Sequence, residues 1–336
     1  MAMASARRLG LELTSNLSIG ERVELARWAE DRGYQDAWVA EISDPEAFVS
    51  LALVAQATSR IRLGTAIVQM GPRSVPVMAA ASASLAEVSA GRFALGLGVS
   101  TEVIVQGWHG VTRGRPLVRS RETVELLRHL LAGGRSDQGG EYVRSRGFRL
   151  RLPPATPPQI MLAAMNEKML ELAGEIADGV LLTFLPVSAV GLVTEAVRRG
   201  ADRAGREKLP ELILVIPTEV TDDEEAALAR FTHDISFYLT APPYRKALGW
   251  YGFEEQMERA EHVWTTTRSI DKVRAEVPHG LPASIGVFGS YETCRERFEQ
   301  YWEAGIGTLG VTVPPAAPAM ATLEPFAQLA AATASI

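Results

Sequence analysis

Leu212-Ile213-Leu214-Val215-Ile216 is apolar at five successive positions. Successive strand residues point to opposite faces, so a strand with one wet face alternates polar and apolar side chains. A run without alternation is covered on both faces, as in a parallel sheet. Short length and flanking Gly and Pro favour strand over buried helix. Comparable runs predict strands over 9–13, 36–40, 61–67, 93–98, 159–164, 179–183, 212–217 and 308–313. Helix signals occupy the gaps. Ser18-Ile19-Gly20-Glu21 has capping-box spacing, Asp44-Pro45 reads as N-cap and first helical residue, and 116–132 carries one apolar stripe before Gly133-Gly134. Thr221-Asp222-Asp223-Glu224 is a second capping box. Eight strands alternating with helices predict an α/β fold, a (β/α)8 TIM barrel closed by right-handed crossovers; a doubly wound open sheet is the alternative. The expectation is a single domain over 1–336 with insertions at about 99–158 and 219–307. Connections that long, after the fourth and seventh strands, fall on the catalytic face of a barrel.

The 336 residues are 47% hydrophobic and 22% charged, enough to bury a large core. The 34 Lys+Arg against 40 Asp+Glu leave a net charge of −6, which argues against a general nucleic-acid binder. A lone Cys294 excludes an internal disulfide and a cysteine-cluster metal site, and the five histidines (109, 129, 233, 262, 279) have no metal-ligand spacing. Residues 1–8 are too short and too polar for a signal peptide. The uncharged run 179–194 is too short to span a bilayer, and 304–323 is broken by prolines. The default expectation is a cytoplasmic enzyme or binding protein with no membrane partner.

No Gly-x-Gly-x-x-Gly opens a helix in the first βαβ unit, and no Walker motif or Gly-x-Ser-x-Gly elbow occurs. With those self-contained chemistries weakened, a borrowed cofactor becomes attractive, and attention moves to the C-terminal strand ends, where barrel active sites form. Strand 2 ends in Val39-Ala40-Glu41, a carboxylate able to bind a ligand, to act as acid or base, or simply to cap a loop. Strand 3 ends in Gly64-Thr65-Ala66-Ile67-Val68, small enough for a flat ring to approach the backbone or for an ordinary turn. Strand 4, Phe93-Ala94-Leu95-Gly96-Leu97-Gly98, has glycines at alternate positions, which marks close backbone approach. Ser100 and Thr101 then fall where hydroxyls and amides can hold an anion or cap a helix. Gln106-Gly107-Trp108-His109-Gly110 places an imidazole in a glycine-flanked turn, and Ala163-Ala164-Met165-Asn166 puts small residues and an amide after strand 5.

At these residues the chain resembles the luciferase-like monooxygenase superfamily, within it the oxidoreductases that use the deazaflavin coenzyme F420. The matching stretches are Trp38-Val39-Ala40-Glu41, Pro45-Glu46-Ala47-Phe48, Ser59-Arg60-Ile61-Arg62-Leu63-Gly64-Thr65-Ala66-Ile67-Val68, and residues 91–100, 103–110, 115–117 and 170–182. Residues 8–190 carry the likeness most strongly. The resemblance implies the barrel, with the ring system in its mouth, and a non-prolyl cis peptide at Ala66-Ile67 backing the ring. It places Glu41 beside the ring, and Ser100, Thr101 and Glu102 along the cofactor's tail or the substrate side. Ala164, Met165 and Asn166 form a further wall and phosphate contact; Gly98, Ala66 and Ile67 join the cofactor-binding set. The implied reaction moves a hydride between the deazaflavin C5 and a C=C, C=N or C=O bond of a small-molecule or peptide-derived substrate, with Glu41, Glu102 and His109 as candidate acid/base groups. An FMN-dependent monooxygenase of the same fold is the alternative, and a non-catalytic cofactor-binding barrel the third reading. Glu41 is followed by Ile42 where some F420 dehydrogenases have His, which keeps that third reading alive. A homodimer is expected from the resemblance.

Overall fold

Every predicted strand forms close to its expected bounds in the computed structural model, which describes residues 7–13, 16–277, 280–315, 317 and 319–334. The strands are β1 (Arg8–Glu12), β2 (Asp36–Val39), β3 (Arg62–Thr65), β4 (Phe93–Gly98), β5 (Gln159–Ala163), β6 (Gly179–Thr183), β7 (Glu211–Val220) and β8 (Thr308–Thr312). Each pairs in parallel with its neighbours in chain order. β8 closes on β1 from Arg8↔Thr308 to Leu11↔Val311. The sheet is therefore a closed (β/α)8 barrel, not a doubly wound sheet. β7 outruns its predicted end because Thr218, Glu219 and Val220 pair beyond the barrel with the short strand Val287–Gly289.

Ser18 and Glu21 form the expected capping box on helix Ile19–Asp31. Two helix starts shift. Helix Ala47–Ala57 is capped by Glu46, whose carboxylate accepts from Val49 N at 2.7 Å, because Asp44 is drawn instead to Arg22 on the preceding helix. Helix Glu224–Tyr238 is capped by Asp223 rather than Thr221, whose hydroxyl accepts from Asp223 N at 3.1 Å. In the 99–158 connection a wide π-helical turn (Val103–Trp108) and helix Pro116–Leu131 precede a small hairpin of Asp137–Gly139 and Arg144–Arg146. Among the described residues no helix is long and apolar enough to cross a membrane.

Alternation sorts the barrel interior into layers. At the N-terminal end Arg62 bonds Asp36 and reaches Glu211 with both Nη atoms (2.8 and 2.9 Å), while Arg8 Nε donates to Asp36 at 2.8 Å and Thr308 Oγ1 donates to Glu211 at 2.5 Å. The next layer is fully or almost fully buried: Trp38, Ala94, Met161, Leu181 and Ile213. Trp38 fits there because residue 64 is glycine; a Cβ at Gly64 would stand 2.0 Å from the indole. Towards the C-terminal end the inward positions become small and only half-buried: Ala40, Ala66, Ala163, Thr183, Val215 and Thr312, with Glu12 among them. The barrel is plugged below and open above.

Candidate active site

The mouth is shaped by the ends of β2, β3 and β4, which are tied together by backbone. Glu41 N donates to Ile67 O at 3.1 Å, Ala66 N to Val39 O at 2.8 Å, and Met70 N to Gly98 O at 2.9 Å. The Ala66–Ile67 peptide is cis, as the resemblance implies. Ile67 lies over Gly98, where a Cβ would meet its Cγ1 at 2.8 Å. Ala66, Ile67 and Ala163 pack on the Trp38 layer while staying half-exposed, so together they make an apolar floor. Ala66, Ile67 and Gly98 thus come together as expected. On β5 the inward residue is Ala163; Ala164 turns outward, 3% exposed, into the core under the helices.

Glu41 is held on both carboxylate oxygens. Arg73 Nη1 bonds Oε1, and Arg73 Nη2 donates to Oε2 at 2.8 Å and to Glu46 Oε1 at 2.5 Å. The guanidinium sits 5.4 Å from the Phe48 ring centre. Burial pulls the Arg73 pKa down, but the bonds and charge of Glu41 and then Glu46 outweigh it and hold Arg73 above its ordinary value. Such a bidentate pair fixes position. Glu102 and His109 flank the turn Val103–Trp108 and are both exposed, Glu102 accepting from Gln106 Nε2 at 2.9 Å. They lie in the loop after β4. Ser100 is half-buried with φ +54°, a left-handed conformation rare for a non-glycine residue and worth about 1–2 kcal/mol of strain. Thr101, also half-buried, gives its carbonyl to Val105 N at 3.0 Å.

The 219–307 insertion closes on the opposite side. Asn166 precedes helix Glu167–Ile176, but its side chain makes no cap bond; its Nδ2 donates to Pro243 O at 3.3 Å. Next to it, Met165 O accepts from Tyr251 Oη at 2.8 Å. Phe184, just past β6, is left-handed at φ +51° and sets its ring 5.0 Å from Tyr238 and 5.9 Å from Tyr244. Aromatics of 238–253 therefore pack on Phe184 past the end of β6 and on Met165 past the end of β5.

Glu12 escaped the sequence reading. It stands at an inward position at the end of β1 and accepts from Thr312 Oγ1 at 2.6 Å. Burial pushes its pKa up, the Thr312 hydrogen bond opposes this, and the charge of Asp44 raises it further. The alternation Leu9-Gly10-Leu11-Glu12-Leu13 is the signal that marks it, a carboxylate where the pattern demands an inward residue. Asp44 is likewise pushed up by burial, partly offset by Arg22, and Asp234 by burial, partly offset by His233. A carboxyl raised in the folded state stabilises the fold below its unfolded pKa and loses that contribution as pH rises through the folded value. Glu12→Gln should accordingly raise unfolding free energy by about 1 kcal/mol at pH 8, with no gain at pH 4, where Glu12 is itself neutral. Urea melts at the two pH values test this; an equal effect at both would exclude a raised Glu12.

Two shallow hollows on the outer shell, one at Asp137, Gly139, Arg144 and Arg146, the other at Val124, Arg128, Glu175 and Asp178, lie away from the strand ends. The mouth is the only place where half-buried small residues meet titratable groups among the described strand ends.

Comparison with known proteins agrees with this arrangement. Residues 1–308 match the luciferase-like monooxygenase family. A Mycobacterium tuberculosis protein, provisionally named coenzyme F420-dependent oxidoreductase Rv3520c, is 28% identical over 92% of this chain and 96% of its own. The coenzyme F420-dependent tetrahydromethanopterin reductase of Methanopyrus kandleri superposes with a TM-score of 0.80 at 21% identity, covering 96% of this chain and 98% of its own. An F420-dependent secondary alcohol dehydrogenase, solved with an F420-acetone adduct, gives 0.77 at 18% identity over 98% and 99%. A family match across nine-tenths of the sequence, on a closed (β/α)8 barrel, settles the assignment: the chain is an enzyme of the luciferase-like monooxygenase family.

Proposed function

We propose that this enzyme is an F420-dependent oxidoreductase that exchanges a hydride with an organic substrate. The observation that carries the reading is the half-exposed apolar floor of Ala66, Ile67 and Ala163 beside Gly98, a flat, small-residue surface suited to a planar tricyclic ring. When bound, the deazaflavin supplies hydride chemistry at C5. The chain's own groups do the rest. Glu41, held on both oxygens by Arg73, borders the ring edge. Ser100 and Thr101 on the β4 side, and Met165 and Asn166 on the β5 side, border the cofactor's polar tail. Glu12, whose neutral form burial favours, holds a proton at the substrate side; Glu102 and His109 serve at the rim. The relatives' names support the cofactor class, and the family's monooxygenases supply the rival, FMN. Fluorescence titration with F420 tests the choice: saturable uptake is expected, whereas tight binding of reduced FMN with oxygen consumption, and none of F420, would establish the rival. Loss of no activity on replacing Glu12, Glu41, Glu102 and His109 together would remove the acid/base assignment.

The enzyme is further proposed to act as a homodimer. Helix Ala47–Ala57 carries no charged residue and helix Val75–Val88 only Glu87, yet Val49, Leu53, Val77 and Val88 are exposed on them. Two chains of net charge −6 can approach without repulsion across such a face. Leu53→Glu with Val77→Glu should convert a sedimenting dimer to monomer; an unchanged sedimentation coefficient would place the interface elsewhere.

A further inference from the structure

Ten of the 34 basic residues but only four of the 40 acidic ones fall between 113 and 151, so a positive stretch sits on a chain whose remainder is strongly negative. The excess gathers on the hairpin of Asp137–Gly139 and Arg144–Arg146 and on the strand end that follows it. Its inner face is set by Ser136, which is buried and accepts from Ser145 Oγ at 2.8 Å; Arg144 and Arg146 take the outer face and are exposed. Gly147 then makes a bulge. Its N donates to Ser136 O at 2.8 Å, while Ser136 N donates to Phe148 O at 2.7 Å, so two residues oppose one. The φ of +81° at this position favours glycine. The bulge shifts the phase of the strand. Exposure passes from Arg144 and Arg146 to Arg149 and Arg151, with Leu150 buried between the last two. Four arginines thus stay on the outside of one ribbon. Arg135, also exposed, joins them from across the bulge, where a Cβ on Gly147 would meet its Nη2 at 3.4 Å.

These cations are not used within the chain. Arg121 and Arg128, on the preceding helix, pair with Glu175 and Asp178. On the ribbon only Arg146 has an acid, Asp137 at 3.3 Å, and with side chains 91% and 82% exposed that pair contributes little. Arg144 Nε donates to Gly140 O at 3.2 Å. The guanidinium groups of Arg135, Arg149 and Arg151 have neither a hydrogen-bond acceptor nor an acidic partner among the described residues.

We propose that the outer face of this ribbon is a docking surface for an acidic segment of a partner protein, bound extended along 144–151 with its carboxylates at alternate positions. Side chains two residues apart on an extended strand stand about 7 Å apart, and an extended acidic chain repeats at the same spacing. Guanidinium groups take carboxylates in two parallel hydrogen bonds, which gives such a contact direction as well as charge. A nucleic acid fits less well. Its phosphates would run past the ribbon onto the acidic remainder, and no free ring awaits its bases: Tyr142 lies against Gly114 under the Arg119 guanidinium, and Phe148 packs on the core. A membrane surface fits less well too, since Leu152, 80% exposed, is the one strongly exposed apolar side chain beside these arginines among the described residues. The surface is separate from the barrel mouth and does not depend on the cofactor reading.

The test uses the full chain at physiological salt and a fluorescein-labelled peptide of alternating aspartate and serine, about ten residues long to span the ribbon. The comparison probes are the lysine–serine counterpart, an oligo-dT of equal charge, and phosphatidylcholine vesicles containing phosphatidylglycerol. The acidic peptide should bind saturably and more tightly than any of the three, and lose about tenfold in affinity when salt is raised tenfold. Replacing Arg144, Arg149 and Arg151 together by serine should weaken it about tenfold, whereas Arg198→Ser, an exposed change on helix Val190–Arg203, should leave it unchanged. F420 titration of the triple variant should match the wild type. Equal binding of the lysine peptide, or tighter binding of oligo-dT or of the vesicles, overturns the proposal on the wild-type protein alone. Unchanged peptide affinity in the triple variant overturns it as well, and a parallel loss of F420 uptake there would make the ribbon part of the cofactor site instead.

Discussion

On the proposed F420 reading, replacing Ala163 with phenylalanine should abolish deazaflavin uptake in a protein that still folds. Ala163 is the inward residue at the end of β5, half-exposed on the floor formed with Ala66 and Ile67 above the Trp38 layer. A benzyl group there projects into the open mouth rather than into packed core, so the fold has little to rearrange, and stability should change by less than about 1 kcal/mol. The ring surface, by contrast, is lost, and affinity should fall by at least about 100-fold, since a planar ligand depends on contact over its whole face. Ala164→Phe is the matched control. Ala164 is one residue on, 3% exposed and directed into the core under the helices. There the added ring overpacks, and the variant should lose about 1–3 kcal/mol of stability. Fluorescence titration paired with chemical denaturation separates the two. Native affinity in a folded Ala163→Phe protein would place the ring somewhere other than this floor.

Arg62→Met should be the most destabilising single change at the far end of the barrel. Arg62 bonds Asp36 and Glu211 at once, and its guanidinium lies 5.3 Å from the Trp38 ring centre. Methionine fills much of the volume but leaves Glu211 without its cation and the fully buried Asp36 with Arg8 alone. Removing one partner of a buried ionic network typically leaves a loss of about 3–5 kcal/mol. The loss should depend on pH. Burial pushes the Glu211 carboxyl up, but the hydrogen bonds and charge of Arg62 outweigh it and hold the carboxyl below its ordinary range. A carboxyl lowered in the folded state contributes stability above its unfolded pKa and loses it as pH falls through the folded value. The deficit of the variant should therefore be largest near pH 7 and shrink towards pH 4, as Glu211 takes up a proton. Urea denaturation at both values measures it. A deficit under about 1 kcal/mol at pH 7 would show that water or rearrangement satisfies both carboxylates.

Much of this architecture was legible in the chain itself. The eight strands and the parallel closure follow from local periodicity, because a doubly covered strand cannot alternate. The meeting of Ala66, Ile67 and Gly98 was legible for a related reason: they stand at the ends of neighbouring strands, where chain-local pattern already puts them side by side. The charged groups were not. Glu41 reads as a free carboxylate until Arg73, 32 residues away, takes both its oxygens. Asp44 reads as a helix cap until Arg22 competes for it. Glu12 acquires its character only when ring closure brings Thr312, 300 residues on, against it. What the residues alone determined is whatever depends on chain-local geometry, namely strand, helix, barrel and the location of the mouth. Which carboxylate is ion-paired and which is pushed up by burial was decided only in the tertiary structure, because electrostatic interaction depends on separation through space and on burial, and neither exists until β8 has met β1.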